Sequence, residues 1–305
     1  MYKIAITGAT GFVGGFISNY LESKDNKVFR FGRKKQKGII YWDITKSVYN
    51  SYLDVDCVIH CAAHVNDWAS YGESYAVNVL GTQNVLKSFP RASKFIYLSS
   101  ASVYNSFCNK VIISENDCLG GKLLNNYSRT KLMGENEVKK SKIISKIILR
   151  PHIIYGLGDT TIAPRIKKGI KFGYLIVPGN GKNRISFTNI ENLAQAVWGA
   201  VKLSKKGISV YNITDRDSFV LVDALNKIKK LNNLKFKELF ISKKLGLIIG
   251  YIFELAYSLL RIKKAPPLTR YIINQMSSDH VLDISRAQKD LQYCPIKNIE
   301  DNFLL

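Results

Sequence analysis

The stretch Lys3-Ile4-Ala5-Ile6-Thr7-Gly8-Ala9-Thr10-Gly11-Phe12-Val13-Gly14 decides how the rest of the chain is read. A short apolar run, the mark of a buried strand, meets three glycines spaced three apart. Phe16-Ile17-Ser18-Asn19-Tyr20-Leu21 then continues with a helical pattern. Each glycine has its own physical task. Gly8 permits the tight turn off the strand, Gly11 removes a side chain where a pyrophosphate must approach backbone, and Gly14 lets the helix pack close on the sheet. The helix N-terminus adds free N–H groups and a partial positive charge. A glycine triplet alone is a weak signal, because turns use glycine anyway. Strand before, helix after and a place at the start of the chain predict a dinucleotide site.

Val28-Phe29-Arg30-Phe31 reads as the second strand, ending at Gly32-Arg33. An NAD site places Asp or Glu here, about 20 residues past the glycines, to bond the ribose 2′-OH. This chain offers Arg33, Lys34 and Lys35 instead, a set suited to a 2′-phosphate and also to a solvated basic turn. The reading leans to NADP over NAD. Cys57-Val58-Ile59-His60-Cys61-Ala62-Ala63 reads as a buried strand whose small terminal residues leave room for a cofactor. Gly72 to Ser88 and Asn126 to Lys140 read as helices. Phe95 to Leu98 is a strand ending in Ser99-Ser100, and Ile147 to Leu149 a strand stopped by Arg150-Pro151. This alternation predicts an α/β fold: a Rossmann-type, doubly wound parallel sheet with its loops along one edge.

After Pro151 the glycines 156, 158, 173, 179 and 181, with Pro178, mark turns. Ile190 to Leu203 reads as a helix, Val210 to Ile213 as a return strand, and Val220 to Leu305 mainly as helices. The expected division is a dinucleotide-binding domain over 1–155, with 190–215 returning to it. A smaller, mainly helical substrate-binding domain takes 156–189 and 216–305. No internal repeat or low-complexity segment interrupts it.

The 305 residues carry 45 basic and 23 acidic side chains, a net charge of +22. Such a charge invites nucleic acid or an anionic membrane. The lysines are scattered, however, with short clusters such as Arg33-Lys34-Lys35 and Arg261-Ile262-Lys263-Lys264, and no nucleic-acid motif accompanies them. The reading is no nucleic acid, with some attraction for an anionic cofactor. Five cysteines without paired spacing fit a reducing cytoplasm, and four scattered histidines predict no metal site. Met1 and Tyr2 lead straight into the first strand, so no signal peptide is expected. Leu245 to Leu260 is nearly all apolar, contains Glu254, and is flanked by Lys243, Lys244, Lys263 and Lys264. It is shorter than the ~20 residues of a span. A buried helix at the substrate site is the favoured reading, and peripheral membrane contact through 245–260 the competing one.

Tyr127-Ser128-Arg129-Thr130-Lys131 stacks a phenol and an ammonium on one helix face. A lysine cation favours the phenolate, so the pair predicts a tyrosine of lowered pKa able to exchange a proton with an alcohol or ketone. Such pairs arise by chance in many helices. This one lies one βα unit past a strand ending in serines, whose hydroxyl can bond the same substrate oxygen.

With these residues the chain resembles the extended short-chain dehydrogenase/reductases over nearly its whole length. The resemblance runs through Thr7 to Gly14, Asp43-Ile44, His60 to Ala63, Asn78 to Thr82, Ser99 to Tyr104, Tyr127 to Lys131 and Leu149 to Pro151. It implies a cofactor held by Gly8, Thr10, Gly11, Phe12, Val13, Gly14, Arg33, Asp43, Ile44, Ala62, Ala63, Asn78, Ser99 and Pro151, with Tyr127 and Lys131 also touching it. Asp43 and Ile44 would flank the adenine, Lys131 would bond the nicotinamide ribose, and Pro151 would border the nicotinamide. Ser100, Tyr127 and Lys131 would be catalytic. A homodimer is common among such relatives.

Within that superfamily two substrate classes compete. Gly181 to Asn192, Pro266 to Arg270, Asp279 to Ala287 and Val65 to Trp68 look like the 3β-hydroxysteroid and sterol dehydrogenase group. The alternative is a nucleotide-sugar epimerase, dehydratase or 4-ketoreductase. Those enzymes usually hold the sugar diphosphate with an arginine where this chain has Ile185, although Arg184 stands one residue early. The expected activity is therefore an NAD(P)-dependent oxidoreductase interconverting a secondary alcohol and a ketone on an apolar small molecule. The expected location is the cytoplasm, with or without membrane association. A regulator that binds NAD(P) without chemistry is the reading from another class, and an intact Ser100, Tyr127 and Lys131 argue against it. His60 is expected to pack beside its strand, His64 and His152 to be structural or to face the cleft, Trp68 to wall a pocket or fill the core, and Met133 to pack.

Overall fold

In the computed structural model, residues 1–50, 53–108, 110–160 and 162–303 are described. The first strand, β1 (Lys3–Thr7), runs into α1 (Phe12–Glu22), and β2 (Lys27–Gly32) and β3 (Ile40–Tyr41) follow. Next come β4 (Cys57–His60), α2 (Tyr71–Tyr75), a π-helical turn (Ala76–Leu80) and α3 (Gly81–Ser88). The single helix expected over 72–88 thus carries a π turn in its middle. β5 (Lys94–Leu98), the short β6 (Ile112–Ile113), α4 (Asn126–Lys140) and β7 (Ser145–Pro151) complete this half. β7 does not stop at Leu149. Arg150 and Pro151 stay in register beside Asn212 and Ile213.

The second half holds β8 (Ile153–Tyr155), α5 (Ile162–Gly169), β9 (Tyr174–Pro178), β10 (Arg184–Asn189), α6 (Ile190–Lys202) and β11 (Gly207–Ile213). Beyond lie β12 (Ser218–Val220), α7 (Leu221–Leu231), β13 (Lys237–Ile241), α8 (Lys243–Leu259), α9 (Arg270–Ser277), β14 (Val281–Leu282), α10 (Ser285–Leu291) and α11 (Ile299–Asn302). The region after Val220 is therefore less purely helical than its sequence suggests. β13 pairs with β9, and β14 with β6, both across long stretches of chain.

Seven strands form the main sheet in the order β11-β7-β5-β4-β1-β2-β3, all parallel. A parallel sheet is covered on both faces, so its strands are apolar on both sides. Ile4 and Ile6 point into one core with Leu193 and Val197 of α6. Ala5 points into the other with Phe31, Phe95 and Tyr97. The strand order reverses between β1 and β4. At such a switch point the loops diverge and leave a crevice at the carboxyl edge. A separate core gathers Leu175, Val177, Phe187, Leu225 and Phe303 among the elements of the second half.

Candidate active site

The glycine turn sits at that switch point. Gly8 has φ of +74°, and a Cβ there would lie 2.7 Å from the backbone nitrogen of Ala62. A Cβ on Gly14 would collide with the Gly8 carbonyl. Gly11 differs: its φ is −94°, and a Cβ at this position would come no nearer than 3.4 Å to any protein atom. The fold itself has room there, so the reason for glycine lies with something that approaches from outside. The N-terminus of α1 has no side-chain cap, and its first amides have no partner within the helix. These features fit a pyrophosphate. Thr10 packs across Gly32 at the end of β2, while Phe12 and Val13, half-buried, pack against the sheet core.

Arg33 stands exposed just past β2. Burial pushes the Asp43 carboxyl up, but hydrogen bonds from the Thr45 hydroxyl and amide, with the charges of Arg33 and Lys46, hold it below the usual range. Those bonds, 2.7 and 3.0 Å long, fall on one carboxylate oxygen. Ile44 is buried against Gly81. Ala62 and Ala63 are half-buried past the end of β4, and Pro151 is buried at the end of β7. Asn78 accepts from the His64 amide (2.9 Å) and donates to the Thr130 hydroxyl (3.0 Å), so its amide ties the loop after β4 to α4. The Ser99 hydroxyl likewise turns inward and donates to Glu135 (2.7 Å).

The Asn125 side chain caps α4 by accepting from the Ser128 amide (2.8 Å). Tyr127 and Lys131 follow in the first two turns on the buried face. Ser100 lies half-buried where β5 enters a 3₁₀ turn, its hydroxyl accepting from the Ser102 amide (3.1 Å). Burial pushes the Tyr127 phenol up to about 12. The nearby Ser100 hydroxyl opposes the shift, and the Asp67 carboxylate adds to it. The expected lowering by Lys131 does not occur. Lys131 donates instead to the Leu98 carbonyl and lies 4.1 Å from the centre of the Tyr97 ring. Burial drives its own ammonium down to about 7, against the pull of Glu135 and Cys61. A half-neutral amine is a weak stabiliser of phenolate. Ser100 thus lies near Tyr127, while Lys131 is held at the end of β5 by the Leu98 carbonyl.

Two ion pairs escaped the sequence reading. Glu135 and Arg150 form a fully buried bidentate pair with both bonds at 2.8 Å. Arg150 also donates to the Tyr104 hydroxyl and the Glu115 carbonyl. The signal was present: Glu135 lies one turn past Lys131 on the same face, and Arg150 is a charge inside an apolar strand. Asp67 pairs with Arg165 of α5 at 2.8 Å, and it acts on both Tyr127 and Tyr271 of α9. Nothing local in the sequence links those residues. Among the histidines, His60 is buried between the Thr7 and Thr82 hydroxyls (2.6 and 3.0 Å) and pushed down to about 3 by burial, then by Lys131. It is structural, as expected. His152 meets the Ser186 carbonyl at 2.7 Å. Trp68 donates to the Ile262 carbonyl (3.1 Å) and packs edge-on against Tyr257 of α8. No group of metal ligands exists among the described residues.

A glycine turn at the switch point of a parallel sheet, together with a buried Tyr–Lys helix and a serine past the end of a central strand, defines a nucleotide-dependent oxidoreductase or epimerase of the Rossmann class. The model of the NAD dependent epimerase/dehydratase family matches residues 4–214, and the chain belongs to that family as an extended short-chain dehydrogenase/reductase enzyme. Members use nicotinamide cofactors. The chain is 28% identical to 2-alkyl-3-oxoalkanoate reductase of Stenotrophomonas maltophilia, over 98% of this chain and 96% of that one. It is 24% identical to human sterol-4-alpha-carboxylate 3-dehydrogenase, decarboxylating, over 98% and 86%. UDP-glucuronic acid 4-epimerase from Bacillus cereus, solved with NAD, shares the fold with a TM-score of 0.72 and 22% identity, over 99% and 96%.

Proposed function

We propose that this enzyme interconverts a ketone and a secondary alcohol on an apolar substrate, with Tyr127 as the acid/base and Ser100 orienting the substrate oxygen. The reading is supported by the placement of Ser100 and Tyr127 at the carboxyl edge of the sheet, near enough for the serine hydroxyl to act on the phenol. A bound nicotinamide would supply or accept the hydride. The phenol, raised to about 12, keeps its proton at neutral pH and is suited to protonate a ketone oxygen. Ser100 would donate to the same oxygen, and Lys131 would hold the ribose and supply positive charge when protonated.

The apolar substrate is favoured over a sugar diphosphate by what surrounds β10. Ile185 is buried, and the Arg184 guanidinium is committed to the Ser218 hydroxyl and carbonyl at 2.9–3.1 Å. Arg165 is engaged by Asp67. The two curated relatives named above carry names of alkyl-ketone and sterol enzymes. Arg33, exposed past β2 with no acid beside it in sequence, supports NADP over NAD. The substrate-binding part would be 156–189 with 216–305, set against the dinucleotide-binding part.

The test is Tyr127→Phe assayed by cofactor absorbance with long-chain 3-oxo acids, sterol ketones and UDP-sugars in parallel. Turnover should fall about 10²- to 10⁴-fold, with cofactor affinity nearly unchanged. Full activity in the variant removes Tyr127 from the chemistry. Turnover of UDP-sugars alone overturns the apolar assignment.

A further inference from the structure

The helix expected to be buried is not. Only Gly246 and Gly250 of α8 are buried, and through them it rests on Ile273 of α9. Leu245, Ile248, Ile252, Leu255 and Leu259 recur at helical spacing, and each is 48–73% exposed. They form one continuous apolar stripe. Lys244 in the first turn of α8 and Arg261, Lys263 and Lys264 past its C-terminal end are all exposed. The one acid between them, Glu254, is turned back onto Arg270, accepting from its amide and its Nε at 2.7 Å.

We infer that α8 is a docking surface for an anionic lipid bilayer, lying in the interface plane with its stripe in the acyl boundary and its end cations on the headgroups. Helices of this build partition into interfaces through apolar area and attraction to anionic lipid together. No helix among the described residues is long and apolar enough to cross a membrane, so the contact is peripheral. Charge decides against a second copy of the chain as the occupant. Two such helices, parallel or antiparallel, bring cations against cations at both ends, on molecules that each carry +22. An anionic surface is complementary at both ends.

The docking surface is tied to the candidate site. Tyr257 and the Ile262 carbonyl hold Trp68, next to Asp67. α9, which supports α8, carries Tyr271 to the neighbourhood of Tyr127.

Co-sedimentation of the full chain with vesicles tests the inference without reference to turnover. The protein should sediment with phosphatidylcholine vesicles containing phosphatidylglycerol and remain in solution with pure phosphatidylcholine. Ile248→Glu with Ile252→Glu, at half-exposed positions, should abolish this binding while circular dichroism stays native. Lys244→Gln, Arg261→Gln and Lys264→Gln together, at exposed positions, should weaken it about tenfold or more and provide the test should the first variant not fold. Absence of vesicle binding overturns the inference. So does binding that both variants retain, which would be diffuse attraction by net charge. A dimer in sedimentation velocity that Ile248→Glu dissociates, without lipid binding, would assign the stripe to a second copy.

Discussion

At the scale of single residues, proton affinity here is set by burial more than by pairing. Tyr127 is raised to about 12 and Lys131 lowered to about 7, each with burial as the first cause. Ketone reduction needs the protonated phenol and is helped by a charged Lys131, so its rate should decline gently as pH rises past about 7 without a steep loss below about 10, whereas oxidation, which needs the phenolate, should rise with pH. Paired pH–rate profiles for the two directions check this. Lys131 also makes a stability prediction. Unfolded, it titrates near 10.4; folded, at about 7. Between those values the unfolded chain binds more protons, so stability climbs as pH rises, and below about 7 the burial penalty is fully present. Urea unfolding at pH 7 and pH 9 should show a gain with pH that Lys131→Met largely removes. Identical slopes in both proteins would contradict it. Arg33→Ala should raise the Kd for NADPH more than that for NADH by titration. An equal loss would remove the argument for a 2′-phosphate.

At the scale of elements, the buried Glu135–Arg150 pair clamps α4 to β7, and the Ser99 hydroxyl joins it to β5. The elements that carry Tyr127 and Pro151, and the segment that leads from β5 into Ser100, thus share one ionic hub. Removing one partner leaves an uncompensated charge in the interior, so Glu135→Ala should cost about 3–5 kcal/mol. A shift of the urea midpoint measures it, and a change within error would mean that water reaches Arg150. α4 itself was legible residue by residue: its expected bounds, Asn126 to Lys140, are the observed ones. Its amphipathic spacing and the Asn125 cap are local features. β13 and β14 were not legible, because each is a strand only by virtue of a partner more than sixty residues earlier in the chain.

At the scale of the whole molecule, the chain carries a net charge of +22 and belongs to a family that uses anionic nicotinamide cofactors. Association of NADPH should slow as ionic strength rises from about 0.05 to 0.5 M, because the Debye length shrinks over that range. Stopped-flow binding measures it; a rate indifferent to salt would confine the charge to solubility. The sequence by itself determined the alternation of strands and helices, the glycine turn and the stacking of Tyr127 and Lys131. All three follow from spacing along a strand, a turn or a helix, which short stretches of chain dictate alone. Only the tertiary structure decided that Arg150 finds Glu135, that Asp67 comes beside Tyr127, that the phenol's pKa goes up, and that the apolar stripe of α8 is left uncovered. Those outcomes depend on which distant segments come together, since desolvation and the surrounding field belong to the assembled neighbourhood.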